Sequence, residues 1–196
     1  MTGCMGGASV LLHICCAPDA TVPWPALRDA GFEVDGFFCG DNIHPEREWE
    51  LRRDSVILLA EKLGGRVEIA PYNPDLWFGR ASALSWVPEG GERCRVCFRM
   101  QLDMASEFAK AHGYGYLCTT LTTSPHKDPL LINAIGEEAS SRIGVKWLSR
   151  VWRKNDGFRL SVERSREMGL YRQRYCGCVY SVRELVAPME SVSGEF

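Results

Sequence analysis

Short apolar runs alternate with longer stretches of helical spacing along this chain, and the alternation predicts a layered α/β fold. Ser9–Ile14 is a continuous apolar run between Gly6-Gly7 and Pro18, as a buried strand requires. Val22–Ala30, closed by Gly31, predicts a helix that Pro23 and Pro25 force to start late, and Phe32–Phe38 predicts a second strand. Pro45–Leu63, closed by Gly64-Gly65, is the clearest helix. Arg66–Ala70 gives a third strand. Residues 71–92, with Pro71, Pro74, Pro88 and Gly90-Gly91, predict an irregular excursion with a short helical turn near Leu76–Leu84. Phe98, Leu102, Ala105, Phe108 and Ala109 then recur at helical spacing across Cys97–Ala111. A strand at Tyr116–Thr120, a helix at Leu130–Ile143, a strand at Val145–Leu148 and a helix at Arg159–Met168, ending at Gly169, complete the series.

Strands separated by helices imply a doubly wound, mainly parallel, Rossmann-like sheet in a single domain. A chain of 196 residues with 45% hydrophobic content can close one core, with residues 1–8 and 184–196 expected as flexible tails. Such sheets bind ligands beyond the carboxyl ends of their strands. Those ends carry Cys15-Cys16, Asp41-Asn42-Ile43-His44-Pro45 and the hydroxyl-rich run Thr119–Pro125. No apolar run reaches the roughly 18 residues of a membrane span, so a cytoplasmic protein with no membrane partner is expected.

Cysteine usage changes the picture from fold to chemistry. Six of nine cysteines fall in three tight pairs, Cys15-Cys16, Cys94-x-x-Cys97 and Cys176-Gly177-Cys178. In a reducing compartment, pairs at such short spacings point to a metal, an iron–sulfur cluster or redox catalysis rather than to a disulfide framework. A [4Fe–4S] cluster takes four thiolates, so two thiols are left over. They either form a dithiol/disulfide couple or bind a second metal, with Asp19 as an available oxygen ligand. The single cysteines Cys4, Cys39 and Cys118 sit in apolar or flexible sequence and carry no such signal.

A formal net charge of −2 conceals an asymmetry, because residues 142–183 hold 11 basic and 3 acidic side chains. Arg150, Arg153, Lys154, Arg159, Arg164, Arg166, Arg172 and Arg174 interleave there with Trp147, Trp152, Phe158, Tyr171 and Tyr175. Phosphate-neutralising and base-stacking groups in one stretch suit a nucleic acid, though a solvated helix face has the same composition. Neither G-x-x-x-x-G-K-[ST] nor G-x-G-x-x-G occurs, so a P-loop and a dinucleotide fingerprint are unsupported.

The ordered motifs Leu-Leu-His13-Ile-Cys15-Cys16-Ala-Pro, Asp-Asn42-Ile-His44-Pro, Cys94-x-x-Cys97-Phe-Arg99-Met, Thr-Thr-Leu121-Thr-Thr-Ser124-Pro-x-Lys127 and Tyr171-Arg-Gln173-x-Tyr175-Cys176-Gly-Cys178-x-Tyr-Ser181 resemble those of epoxyqueuosine reductases of the QueH type. The resemblance spans about residues 9–183. It implies the last step of queuosine synthesis: two-electron removal of the epoxide oxygen of epoxyqueuosine at the wobble position of a tRNA, with release of water and without cobalamin. It assigns Cys15, Cys16, Cys94 and Cys97 to a [4Fe–4S] cluster. Cys176 and Cys178 become the catalytic redox pair, or join Asp19 in holding a second, mononuclear iron. Asn42, His44, Thr120, Thr122, Ser124, Lys127, Tyr171, Arg172 and Gln173 become substrate contacts. The implied partners are a tRNA anticodon stem-loop and an electron donor that the sequence does not name. Two departures stand out: Asp19 replaces a third cysteine of many members, and Cys39-Gly40 replaces the usual tyrosine and asparagine. The competing readings are an ATP-dependent tRNA sulfur-transfer enzyme and a zinc-stabilised RNA-binding module. The first would need an S-G-G-x-D-type loop where Cys15-Cys16-Ala-Pro stands.

Overall fold

A computed structural model of the chain describes residues 8–185. Residues 1–7 and 186–196, nearly all of both expected tails, lie outside that range. Five parallel strands, β1 (Ser9–Ile14), β2 (Glu33–Phe38), β3 (Val67–Ile69), β4 (Tyr116–Thr119) and β5 (Lys146–Trp147), form one sheet in the order β3-β2-β1-β4-β5. The helices are α1 (Ala17–Ala20), α2 (Pro23–Asp29), α3 (Glu46–Leu63), α4 (Pro74–Ala81), α5 (Glu92–Ala111), α6 (Pro129–Ser141), α7 (Gly157–Glu167) and α8 (Val179–Leu185). None of the described helices is long and apolar enough to cross a membrane.

Side-chain alternation on the central strand builds both faces of the core. Val10, Leu12 and Ile14 pack with Trp24 and Leu27 of α2 and Val56 and Leu59 of α3. Leu11 points the other way, to Phe98, Leu102 and Ala105 of α5 and Ile132 and Ile135 of α6. A strand buried on both sides therefore reads as an unbroken apolar run. β1 lies between β2 and β4, so successive connections leave it toward opposite edges. The crevice at that switch point opens beyond Ile14 and Thr119, where ligands of such sheets bind.

The predicted elements recur with shifted ends, and the shifts are informative. α5 starts at Glu92, five residues before the predicted Cys97, because the Gly90-Gly91 turn releases the chain directly into an acidic first turn. Both Cys94 and Cys97 thus lie on its first turns, three apart and on one side. Residues 71–92 hold the regular helix α4, begun by Pro74, followed by a 3₁₀ turn at Ser82–Leu84. α1 and α8 are short helices flanking cysteine pairs, and neither has enough length to leave a periodic signal.

Candidate metal centre and substrate cavity

Cys15 and Cys16 leave β1 at the switch point, and the one-turn helix α1 folds Asp19 back over them. The sulfurs of Cys15 and Cys16 and a carboxylate oxygen of Asp19 all lie within 4.8 Å of one another. Cys15 Sγ is 3.5 Å from Asp19 Oδ2 and 3.4 Å from the Thr120 hydroxyl, which also accepts the Cys15 amide at 3.2 Å. Gln173 Nε2 donates to Cys16 Sγ at 2.9 Å, and Lys127 Nζ lies 3.9 Å from Cys15 Sγ.

The electrostatics of this trio are those of a site built for a cation. Its hydrogen bond from Cys16, with Lys127 and Thr120 assisting, holds the Cys15 thiol well below its usual range. Cys16 moves well above it, since the proton stays there and burial adds to the effect. Burial, followed by the Cys15 charge, raises the Asp19 carboxyl to about 7. Lys127 keeps its charge against its own burial because Cys15, Asp19 and Cys16 surround it. Only Cys15 is held anionic in the metal-free site, and the protons kept on Cys16 and Asp19 are ones that a bound cation would displace.

Four further thiols converge beside them. Cys15, Cys94, Cys97, Cys176 and Cys178 all line a narrow inner recess of about 50 Å³. Trp77 and Ala81 of α4 pack with Cys97 and Cys178 as its apolar wall. Gln101 Nε2 donates to Cys97 Sγ at 3.1 Å, the Gly90 amide to Cys94 Sγ at 3.2 Å, and Cys176 Sγ lies 3.1 Å from the Ser181 hydroxyl. Burial pushes Cys97 up to about 12. Within Cys176-Gly177-Cys178, the hydrogen bond from Cys176 lowers Cys178 to about 7, with the Arg93 charge a smaller contributor, while Cys176 rises.

A buried ion pair shapes that last loop. Arg52, 2% exposed, donates Nε to Glu48 Oε1 at 2.8 Å and directs Nη1 and Nη2 to the carbonyls of Cys176 and Tyr175 at 2.9 and 3.0 Å. Tyr171 hydroxyl donates to Glu48 Oε2 at 2.7 Å. Gly177 turns between the two cysteines at a φ of 112°, and its carbonyl accepts the His44 amide at 2.9 Å. The sequence puts Glu48 and Arg52 on the helix that Pro45 opens but does not itself assign them a role. Their four-residue spacing directly after the Asp41–Pro45 motif is the signal that was there to find.

An open cavity of about 590 Å³ faces the thiols and is large enough for a nucleoside. Of the expected substrate contacts, Ser124, Lys127, Arg172 and Gln173 line it, and Asn42 lines the inner recess. The others are spent inside the protein. His44 is buried against Trp77 and Phe78 with its pKa lowered by burial to about 4, Thr120 holds Cys15, Thr122 accepts the Trp152 amide, and Tyr171 serves Glu48. Asp19, expected as an oxygen ligand beside Cys176 and Cys178, lies within 4.8 Å of the sulfurs of Cys15 and Cys16, one helical turn away.

The basic stretch divides in the same manner. Arg153 binds the carbonyls of Ser124, Pro125 and Lys127, Arg164 binds that of Thr21, and Arg159 pairs with Asp156 and Glu163. Trp147 and Trp152 donate their indole N–H groups to Asn133 Oδ1 and the Thr119 carbonyl. Arg172, Arg174, Phe158 and Tyr175 face the cavity instead.

Comparison with known proteins gives concordant results. A family profile described as "Epoxyqueuosine reductase QueH" matches residues 10–184. A protein of Haemophilus influenzae named epoxyqueuosine reductase QueH is 37% identical over 180 residues, covering 91% of this chain and 74% of the relative. One of the same name from Thermotoga maritima is 35% identical over 179 residues, covering 90% and 91%. Among solved structures, the U34-tRNA thiolase NcsA of Methanococcus maripaludis, with its [4Fe-4S] cluster, superposes with a TM-score of 0.59 at 14% identity, over 90% of this chain and 62% of that one. A predicted subunit of a tRNA methyltransferase from Methanocaldococcus jannaschii gives 0.57 at 12% identity, over 80% and 75%. At such identities these two likenesses speak for the Rossmann-like fold alone.

Proposed function

The chain belongs to the epoxyqueuosine reductase QueH family, and from that premise we infer that it reduces epoxyqueuosine to queuosine at the wobble position of a tRNA. The epoxide's two C–O bonds break, a C=C bond forms, and two electrons with two protons release the oxygen as water. The observation that carries this reading is the gathering of six thiols and Asp19 around a nucleoside-sized cavity and the recess that shares Cys15 and Cys176 with it.

The donor sets fit two different groups. Cys94, Cys97, Cys176 and Cys178 would hold a [4Fe–4S] cluster in the inner recess, because four thiolates in an apolar pocket are what that cluster requires. Arg93 supports the assignment: it lines the recess with Nε and Nη2 buried and without a hydrogen-bond partner, donors that cluster sulfur could accept. Cys15, Cys16 and Asp19 would hold a single iron, a mixed sulfur–oxygen set suited to a borderline cation. When bound, such groups supply low-potential electrons and a Lewis acid, with no need of cobalamin.

The chain's own residues do the rest. Lys127, charged and lining the cavity, donates a proton from Nζ to the departing oxygen. Gln173 orients Cys16, and Thr120 orients Cys15. Arg172 and Arg174 bind backbone phosphates at the cavity mouth, and Phe158 and Tyr175 offer ring faces to bases splayed from the anticodon loop. The test is anaerobic incubation of iron- and sulfide-reconstituted protein with a reductant and epoxyqueuosine-containing tRNA, followed by nucleoside analysis. Queuosine should appear and Lys127→Ala should abolish it; a reconstituted protein that leaves the epoxide intact would refute the assignment.

A further inference from the structure

Among the described residues, Arg93 is the buried arginine whose donors are unmet. It is 2% exposed and stands on the first turn of α5, next to Cys94. Its Nη1 binds the carbonyls of Leu84, Ser85 and Val87, tying the 3₁₀ turn and the loop after it to the helix. Tyr180 lies against the guanidinium with 5.4 Å from Cζ to the ring centroid, which fixes the plane of the fork. Nε and Nη2 remain without a partner.

A guanidinium never loses its proton in a protein, so burial with two idle nitrogens carries a desolvation cost that an acceptor, best an anionic one, would offset. The side chain lines the recess of Cys94, Cys97 and Cys178, and its charge acts on both Cys94 and Cys178. A structural brace alone would be served by Nη1. The unused half of the fork belongs to a side chain that lines the same recess as Cys94, Cys97 and Cys178, where a charge is weakly screened.

We propose that Arg93 is a positioning residue for electron transfer, setting the reduction potential of the thiolate-bound centre by donating Nε–H and Nη2–H toward its sulfurs. The inference rests on the cluster assignment above. Hydrogen bonds to sulfur and a less negative net charge both favour the reduced state, so Arg93 raises the potential and makes the centre easier to fill with electrons.

The test uses the full chain, reconstituted anaerobically, as wild type, Arg93→Lys and Arg93→Met. Iron and acid-labile sulfide, thermal stability and midpoint potential are measured on each. Arg93→Met should keep iron and sulfide while the ratio of reduced to oxidised centre at fixed applied potential falls about tenfold, equivalent to about 59 mV for a one-electron couple. Arg93→Lys, which keeps the charge but not the fork, should recover stability and only part of the potential. Loaded variants with the wild-type potential would overturn the proposal and leave Arg93 a brace for the loop. Variants that fold but hold no cluster, or fail to fold, would overturn it too, since assembly and not tuning would then be the role. A wild type without sulfide would instead overturn the cluster assignment itself.

Discussion

Replacing Gly177 with alanine perturbs the residue that turns the chain between Cys176 and Cys178. Its φ of 112° lies where a side chain is strained by about 1–3 kcal/mol. An added Cβ would also stand 3.0 Å from Arg52 Nη1 and 3.1 Å from Ile43 Cγ1, inside two buried groups. Arg52 would have to retreat from the Cys176 carbonyl, and a charge-assisted hydrogen bond lost in the interior costs about 1.5–3 kcal/mol. The combined loss is about 3–5 kcal/mol, which for a domain of this size lowers Tm by on the order of 10 °C. Thermal denaturation of the metal-free protein, followed by circular dichroism, reads the stability; iron and sulfide uptake reads the site. Gly64→Ala is the control, because Gly64 ends α3 at a φ of 59° with open space around it, far from any thiol. That variant should lose about 1 kcal/mol and load normally. A Gly177→Ala protein with wild-type Tm and full uptake would refute the reasoning.

Three other outcomes follow from the same geometry. Arg52→Met strands the Glu48 carboxylate in the interior and should cost about 3–5 kcal/mol in denaturant unfolding, most of it recovered when Glu48→Leu is added. Burial raises the Asp19 carboxyl from 3.8 to about 7, so folding favours its neutral form: this stabilisation is complete below pH about 4 and is lost as pH rises toward 7. The metal-free protein should therefore lose about 4 kcal/mol across that window, a slope that Asp19→Asn flattens; an unchanged slope in the variant would count against it. Cys39→Ala and Cys118→Ala should load iron and sulfide like wild type, because both thiols are buried and directed at the carbonyls of Gln101 and Leu148; reduced iron content in either would place a ligand wrongly.

The strands and long helices were legible because each has a periodic or continuous apolar face, and β1 announced itself by being apolar on both sides. Helices α1 and α8 were not: α1 is a single turn of four residues, and α8, as short as α2, lacks the closing glycine that marked α2. All six paired cysteines reach the site, and spacing alone carried that. The grouping of those pairs depended on a turn: α1 folds Asp19 onto Cys15 and Cys16, a fact of backbone geometry that residue identity does not encode. The hydroxyl run Thr119–Ser124 looked like a row of substrate contacts, yet Thr120, Thr122 and Thr123 are fully buried and hold the loop together. Arg52 and Arg93 took no role from the sequence because a buried arginine and a solvated one are the same letter.

The division of thiols into two centres is tested most directly by counting iron and acid-labile sulfide in anaerobically reconstituted wild type, Asp19→Asn and Cys97→Ala. With a [4Fe–4S] cluster on Cys94, Cys97, Cys176 and Cys178 and a single iron on Cys15, Cys16 and Asp19, wild type should hold about five irons and four sulfides. Asp19→Asn should lose one iron and no sulfide, and Cys97→Ala should lose the sulfide. Loss of sulfide in Asp19→Asn, or a wild type holding iron without sulfide, would contradict the account.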